Sequence, residues 1–155
     1  MAILKRLIKH ILIEADVKNT KNISSAGVVV VKKFNNDWKV LGLLTNGKYD
    51  IPKGVKEKKE TDLEAAIRET YEESSLKLAD KNFKWGKKSL KIEPITIFLA
   101  EVWEDPVIIK NPKTGIYEHE LAEWLSWDEM MTHVKEYLAP AILWAKKIVE
   151  NNSKE

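Results

Sequence analysis

Gly54 to Leu76, GVKEKKETDLEAAIRETYEESSL, is the stretch whose reading decides the fold. Thr61 and Glu64 stand in capping-box spacing, so a helix starts there. Leu63, Ala66, Ile67, Thr70 and Tyr71 recur at helical intervals and predict its inward stripe. Glu69, Glu72 and Glu73 then occupy i, i+3 and i+4 on the face expected to turn outward. Carboxylates so spaced have Cβ atoms only about 5–6 Å apart and repel by a few tenths of a kcal/mol per pair, roughly 0.2–0.5. A hard divalent cation, Mg²⁺ or Mn²⁺, would turn that repulsion into a binding site. An acidic triplet by itself also describes an ordinary solvated face. The surrounding spacing argues against that bland reading. Five residues separate Gly54 from Glu60, seven separate Glu60 from Arg68, and Arg68-Glu69 precedes Glu72-Glu73. Chance agreement at these positions is on the order of one in 10⁵ per window.

Upstream, Ala26 to Val31 is a β-branched run that predicts a buried strand, and Trp38 to Thr45 a second strand joined to it through Asn35-Asn36-Asp37. Asn46-Gly47 is a turn, and Ile51-Pro52-Lys53-Gly54 is expected to break regular structure. Ile3, Leu4, Leu7, Ile8, Ile11 and Leu12 predict an amphipathic helix over 3–15, packed on the domain. Downstream, Phe83 to Ile92 reads as a Lys-rich strand or loop, and Ile95 to Trp103 as a strand. Asn111 to Gly115 reads as a surface loop, 121–127 as a short strand, Asp128 to Met131 as a helical turn and Ala141 to Val149 as a last helix. The order β-β-α-β-β-α implies a mixed sheet with helices packed on it.

The 155 residues carry 26 Lys+Arg against 24 Asp+Glu, a balance unlike that of a dedicated nucleic-acid clamp. Every cation except Arg6 and Arg68 is a lysine. Without cysteine there is no disulfide framework, Cys-ligated zinc or thiolate nucleophile, and a cytoplasmic protein is the simplest reading. Residues 1–13 are too short and too charged for a membrane span, and no membrane partner is expected. No repeat or linker divides the chain. The expected organisation is an N-terminal helix over 1–20, one α/β domain over 21–150 and a disordered tail over 151–155.

Gly54 to Leu76 resembles the Nudix box, the signature of Nudix hydrolases: Gly, five residues, Glu, seven residues, Arg-Glu, an aliphatic, any residue, Glu-Glu, any residue, Gly, an aliphatic. Every charged position matches; Thr70 replaces the aliphatic and Ser75 the glycine. The resemblance implies an α/β/α sandwich with a mixed sheet, extended here by the N-terminal helix. It also implies hydrolysis of a nucleoside diphosphate linked to another group, with water attacking phosphorus. By family position, Glu69, Glu72 and Glu73 are metal ligands, joined by the Lys53 backbone carbonyl, with Mg²⁺ or Mn²⁺ as cofactor. Arg68 and Glu60 would form an orienting ion pair behind them.

Outside the box the chain is similar to the diadenosine-polyphosphate hydrolase branch, which includes enzymes that remove pyrophosphate from RNA 5′ ends. The similarity rests on Ile51-Pro52-Lys53-Gly54, on Leu99-Ala100-Glu101-Val102, and on Glu118-His119-Glu120 before Trp124-Leu125. Glu118 matches a glutamate that contributes to metal or water from outside the box, and Glu120 is its substitute. Tyr49 takes a tryptophan position, and Lys53, Lys91 and Glu120 complete the expected substrate contacts. Ala122 and Ile97 replace aromatic residues of that branch. The implied substrates are dinucleoside polyphosphates of the diadenosine tetraphosphate type or (d)NTPs. The alternatives are an RNA 5′ end and a catalytically silent nucleotide-binding module. No oligomeric state is implied.

Overall fold

The computed structural model describes residues 23–112 and 114–152; the expected helix over 3–15 and the last three residues lie outside them. The chain runs β1 (Ser25–Phe34), β2 (Asp37–Thr45), β3 (Lys48–Asp50), β4 (Lys53–Val55), α1 (Asp62–Ser74), β5 (Leu90–Ile92), β6 (Ile95–Glu101), β7 (Leu121–Leu125), α2 (Trp127–His133) and α3 (Ala139–Asn152). Two short 3₁₀ turns, Asp80–Asn82 and Glu136–Leu138, fill the connections.

β1 is the central strand, because its valines have no exposed surface on either side. One edge pairs in parallel with β6, Ser25 opposite Ile95 through Val31 opposite Glu101. The other edge is shared. Ser25 to Gly27 pair with β4, whereas Val31 to Phe34 pair with β2. The Val28 N–H donates to the Pro52 carbonyl at 3.1 Å in the gap between them. Gly27 lies against that carbonyl and the Lys53 Cβ, so any side chain at this position would collide with the fork. The sheet is therefore mixed, in the order β3-β2-β1-β6-β5, with β4 on β1 and β7 on β2. Asn46 and Gly47 both take positive φ, 51° and 75°, the conformation a tight β2–β3 hairpin requires.

Alternate residues of β1 serve opposite cores. Val28 and Val30 join Ala65 and Ala66 of α1, together with Phe98 and Ala100. Val29 and Val31 join Met130 of α2 and Ile142 and Ala145 of α3, together with Ile97 and Leu99. The result is an α/β/α sandwich.

Several boundaries differ from the sequence reading. The break expected at Ile51 to Gly54 holds a strand, because Pro52 precedes β4 and needs no ladder hydrogen bond there. Only Leu90–Ile92 of the Lys-rich stretch is strand, the turn at Asp128 is a helix of seven residues, and α3 runs through Asn151 and Asn152, inside the stretch expected as tail. Tyr71 is 47% exposed rather than inward. No helix among the described residues is long and apolar enough to cross a membrane.

Candidate active site

The N-terminus of α1 is fixed by a capping box: the Glu64 N–H donates to Thr61 Oγ1 at 3.1 Å, and the Thr61 N–H to Glu64 Oε1 at 2.9 Å. From this anchor the helix aims its carboxylates inward, against expectation. Glu69 and Glu73 are buried, with Glu72 half-buried beside them. Gly54 makes this possible for Glu69, because a Cβ there would occupy the space of the Glu69 carboxylate. The carboxylate sits over Gly54 of β4, the residue next in the chain to Lys53, whose carbonyl the sequence reading nominated.

Arg68 holds the group together. Its Nε and Nη2 form a fork on Glu60 at 2.7 and 3.0 Å, Nη2 also donates to the Val55 carbonyl at 3.0 Å, and Nη1 reaches Glu69 at 3.0 Å and Glu72 at 3.3 Å. The hydrogen bond to Glu60, with Glu69 and Glu72 nearby, pushes the guanidinium above its already high ordinary value, so its charge is permanent. Arg68 thus relieves much of the repulsion that the sequence alone assigned to a cation. Glu73 is treated differently: its Oε2 lies 3.5 Å from His119 Nδ1. Glu73, Glu118 and His119 offer ligand atoms within 4.8 Å of one another, and with Glu72 and Ile109 they line a small cleft. Burial pushes the His119 pKa down to about 4, so the imidazole is neutral near pH 7 and keeps a lone pair to offer.

Where the usual glycine is missing, Ser75 itself takes the left-handed conformation, φ 65°, instead of adjusting away from it. Its hydroxyl donates to the Val107 carbonyl at 2.9 Å, and the Val107 N–H donates to the Ser74 carbonyl at 2.8 Å. The end of α1 is thereby tied to the β6–β7 connection that carries Glu118. Thr70 is fully buried and spends its hydroxyl on the Ala66 carbonyl.

A second buried group adjoins the first. Asp50 Oδ2 meets Lys53 Nζ at 3.1 Å and Lys135 Nζ at 2.7 Å. Burial pushes the Asp50 carboxyl up, but the two lysines outweigh it and hold the group well below the usual carboxylate range. Lys53 is held above its ordinary value: burial is the largest single influence and opposes its charge, but Asp50, Tyr137 and Glu73 together outweigh it.

Three expected substrate contacts are not brought here. Tyr49 packs on the core facing α2 and α3, across the sheet from α1, where its hydroxyl donates to Glu123. Its strand alternates with Asp50, and the odd residue faces away. Lys91 lies on β5, the last strand in the order, with its ammonium 3.4 Å from Glu93. Glu120 is exposed and accepts from the Asn46 N–H at 3.3 Å, at the β2–β3 turn. Ala122 and Ile97 both pack into the cores. Conversely, His119, Asp50, Lys135 and Tyr137 were not singled out from sequence. His119 carried a signal, an imidazole between two glutamates; Lys135 carried none, since only the fold brings it 85 positions back to Asp50.

A half-buried arginine forked on Glu60 thus also holds the glycine-seated Glu69, and a Glu73–His119 pair lies beside them on the same cleft. Residues 21–149 match the profile of the NUDIX domain, so the chain belongs to that family and is a hydrolase acting on phosphoanhydride bonds. The fold is shared with a Caenorhabditis elegans Ap4A hydrolase solved as a binary complex: 17% identity, 84% of this chain, 99% of that one, TM-score 0.63. A NUDIX hydrolase of Listeria monocytogenes gives 17% identity over 84% of this chain and 96% of that one, TM-score 0.61. The NUDIX domain of Shewanella oneidensis NrtR, crystallised with ADP ribose, gives 12% identity over 79% and 84%, TM-score 0.57. No curated protein sequence matches the chain.

Proposed function

We propose that the chain is a Mg²⁺- or Mn²⁺-dependent nucleotide pyrophosphohydrolase, acting on dinucleoside polyphosphates of the diadenosine tetraphosphate type or on (d)NTPs. The observation that carries this reading is the Arg68 fork, which gathers Glu60, Glu69 and Glu72 beside Glu73, Glu118 and His119. The donor set is dominated by carboxylates and suits a hard cation, and the space above Gly54 that a Cβ would fill is what admits Glu69. Glu69, Glu72, Glu73, Glu118 and the Lys53 carbonyl would hold the ion, which when bound neutralises phosphate charge and lowers the pKa of water.

The chain's own contribution is positioning. Arg68 fixes the direction of the Glu60, Glu69 and Glu72 carboxylates by charge-assisted hydrogen bonds, and β4 supplies the floor beneath Glu69. In the reaction, a water oxygen bonds to phosphorus, the bond from phosphorus to the bridging oxygen breaks, and the departing phosphate keeps the electron pair. The water's proton passes to one of the carboxylates around the cleft, Glu118 among them. The C. elegans relative named an Ap4A hydrolase supports this substrate class.

The test is phosphate or pyrophosphate release from diadenosine polyphosphates, dNTPs, ADP-ribose and 5′-triphosphate RNA, with and without Mg²⁺. We expect Mg²⁺-dependent turnover of the small nucleotides. Glu72→Gln should reduce it by more than the about 10- to 100-fold that loss of an outer partner of a metal site costs. Preference for RNA would shift the assignment to the 5′-end reaction. Turnover of nothing, with Glu72→Gln indistinguishable from wild type, would leave a silent binding module.

A further inference from the structure

Asp50, Lys53, Lys135 and Tyr137 form a group that the box does not explain. The Asp50 carboxylate is buried: Oδ1 accepts from the Ile51 N–H at 2.8 Å, while Oδ2 takes both ammoniums, from β4 and from the segment after α2. A tie between β3 and that segment already exists in the backbone, where the Lys135 N–H donates to the Tyr49 carbonyl at 2.9 Å and Val134 bridges to Tyr49. One lysine on Asp50 would complete the tie. Drawing two cations onto one oxygen adds repulsion that a purely structural bridge would avoid.

The pair lies within electrostatic reach of the carboxylate cleft. Lys53 precedes the glycine under Glu69, its charge is felt by Glu73, and His119 senses Asp50, Lys53 and Lys135 together. The Lys53 and Lys135 side chains are partly exposed, 19% and 21%. The Lys53 ammonium lies 5.9 Å from the centre of the Tyr137 ring, and Tyr137 stays 44% exposed.

We infer that Asp50 is a positioning residue that presents Lys53 and Lys135 as a two-ammonium subsite for a phosphate of the substrate's phosphoanhydride chain. Lys135, from outside the box, is the half of the subsite that the motif does not contain. The inference rests on the pyrophosphohydrolase reading of the cleft for its physiological ligand, but the subsite itself is an anion site that inorganic polyphosphate can probe.

The experiment uses the full chain as wild type, Lys135→Met, Lys135→Arg and Asp50→Asn. Binding of inorganic tripolyphosphate is followed by phosphorus NMR line broadening in EDTA, and diadenosine tetraphosphate hydrolysis is followed in Mg²⁺. We expect Lys135→Met to weaken tripolyphosphate binding and raise KM by about tenfold or more, with kcat within about twofold. Lys135→Arg should recover most of both, and Asp50→Asn should raise KM by releasing the pair. If Lys135→Met does not fold, Asp50→Asn with Lys135→Met, which removes the stranded buried charge, takes its place. A folded variant with unchanged affinity and unchanged KM overturns the subsite, as does a wild type that binds no tripolyphosphate. Loss of tripolyphosphate affinity in a protein that hydrolyses no nucleotide upholds the subsite and removes the enzymatic reading. Nucleotide turnover indifferent to Lys135 does the reverse.

Discussion

Gly54 and Arg68 divide the work of placing one carboxylate. Gly54 leaves the room and Arg68 supplies the partner, so Gly54→Ala should push the Glu69 carboxylate off its seat with only a small change in the unfolding midpoint. Displacement of a catalytic group by an ångström costs on the order of 10²-fold, and kcat/KM should fall by about that much. An unchanged kcat/KM would show that Glu69 is not needed where it sits. Arg68→Lys keeps the charge and loses the fork on Glu60; metal titration should show about 10- to 100-fold weaker affinity, with little change if charge alone matters. Tyr49 makes a prediction of another kind. Its hydrogen bond to Glu123, with burial and the Glu123 charge, raises the phenol from 10.0 to about 12. The folded state therefore favours the neutral phenol, so this contribution is complete below pH 10 and is lost as pH rises from 10 towards 12. Urea unfolding at pH 9 and 11 should show a smaller alkaline loss of stability in Tyr49→Phe than in wild type.

α1 shows what a sequence can and cannot carry at the scale of an element. Its start was legible because Thr61 and Glu64 act on each other within one turn; Thr61→Ala should cost about 1 kcal/mol, lowering the melting temperature by about 3 °C, and no shift in a thermal scan would show the box to be dispensable. Its orientation was not legible. Hydropathy counts Glu69 and Glu73 as surface and Tyr71 as core, yet the two carboxylates are buried and the tyrosine is half in water. The pattern failed because partners outside the helix, Gly54 on β4 and His119 before β7, reverse the usual cost of burying charge. The box spacing still located the residues, since it records chemistry that periodicity ignores.

Across the whole molecule, legibility follows sequence distance. The valine run of β1, the Asn46-Gly47 turn and the mixed sheet could be read from neighbours; the Asp50–Lys135 contact and the seating of Tyr49 on the far core exist only after β2, β3 and α2 have met. A whole-molecule readout of the metal assignment follows from linkage: a ligand at 100 times its Kd stabilises the native state by about 2.7 kcal/mol. Mn²⁺ should therefore raise the melting temperature of wild type and leave Glu72→Gln nearly unmoved, and equal shifts in both would place the ion elsewhere. The anchor at Val107 bears on the same cleft through motion. The β6–β7 connection is pinned at Asp105 by Lys32 and Trp124 and at Val107 by the last turn of α1. Both ties fall in its first part, and Glu118 lies beyond them, next to His119, which is buried against Glu73. The Val107 amide, bonded to the last turn of α1, should exchange its proton with solvent no faster than the end of α1 itself unravels.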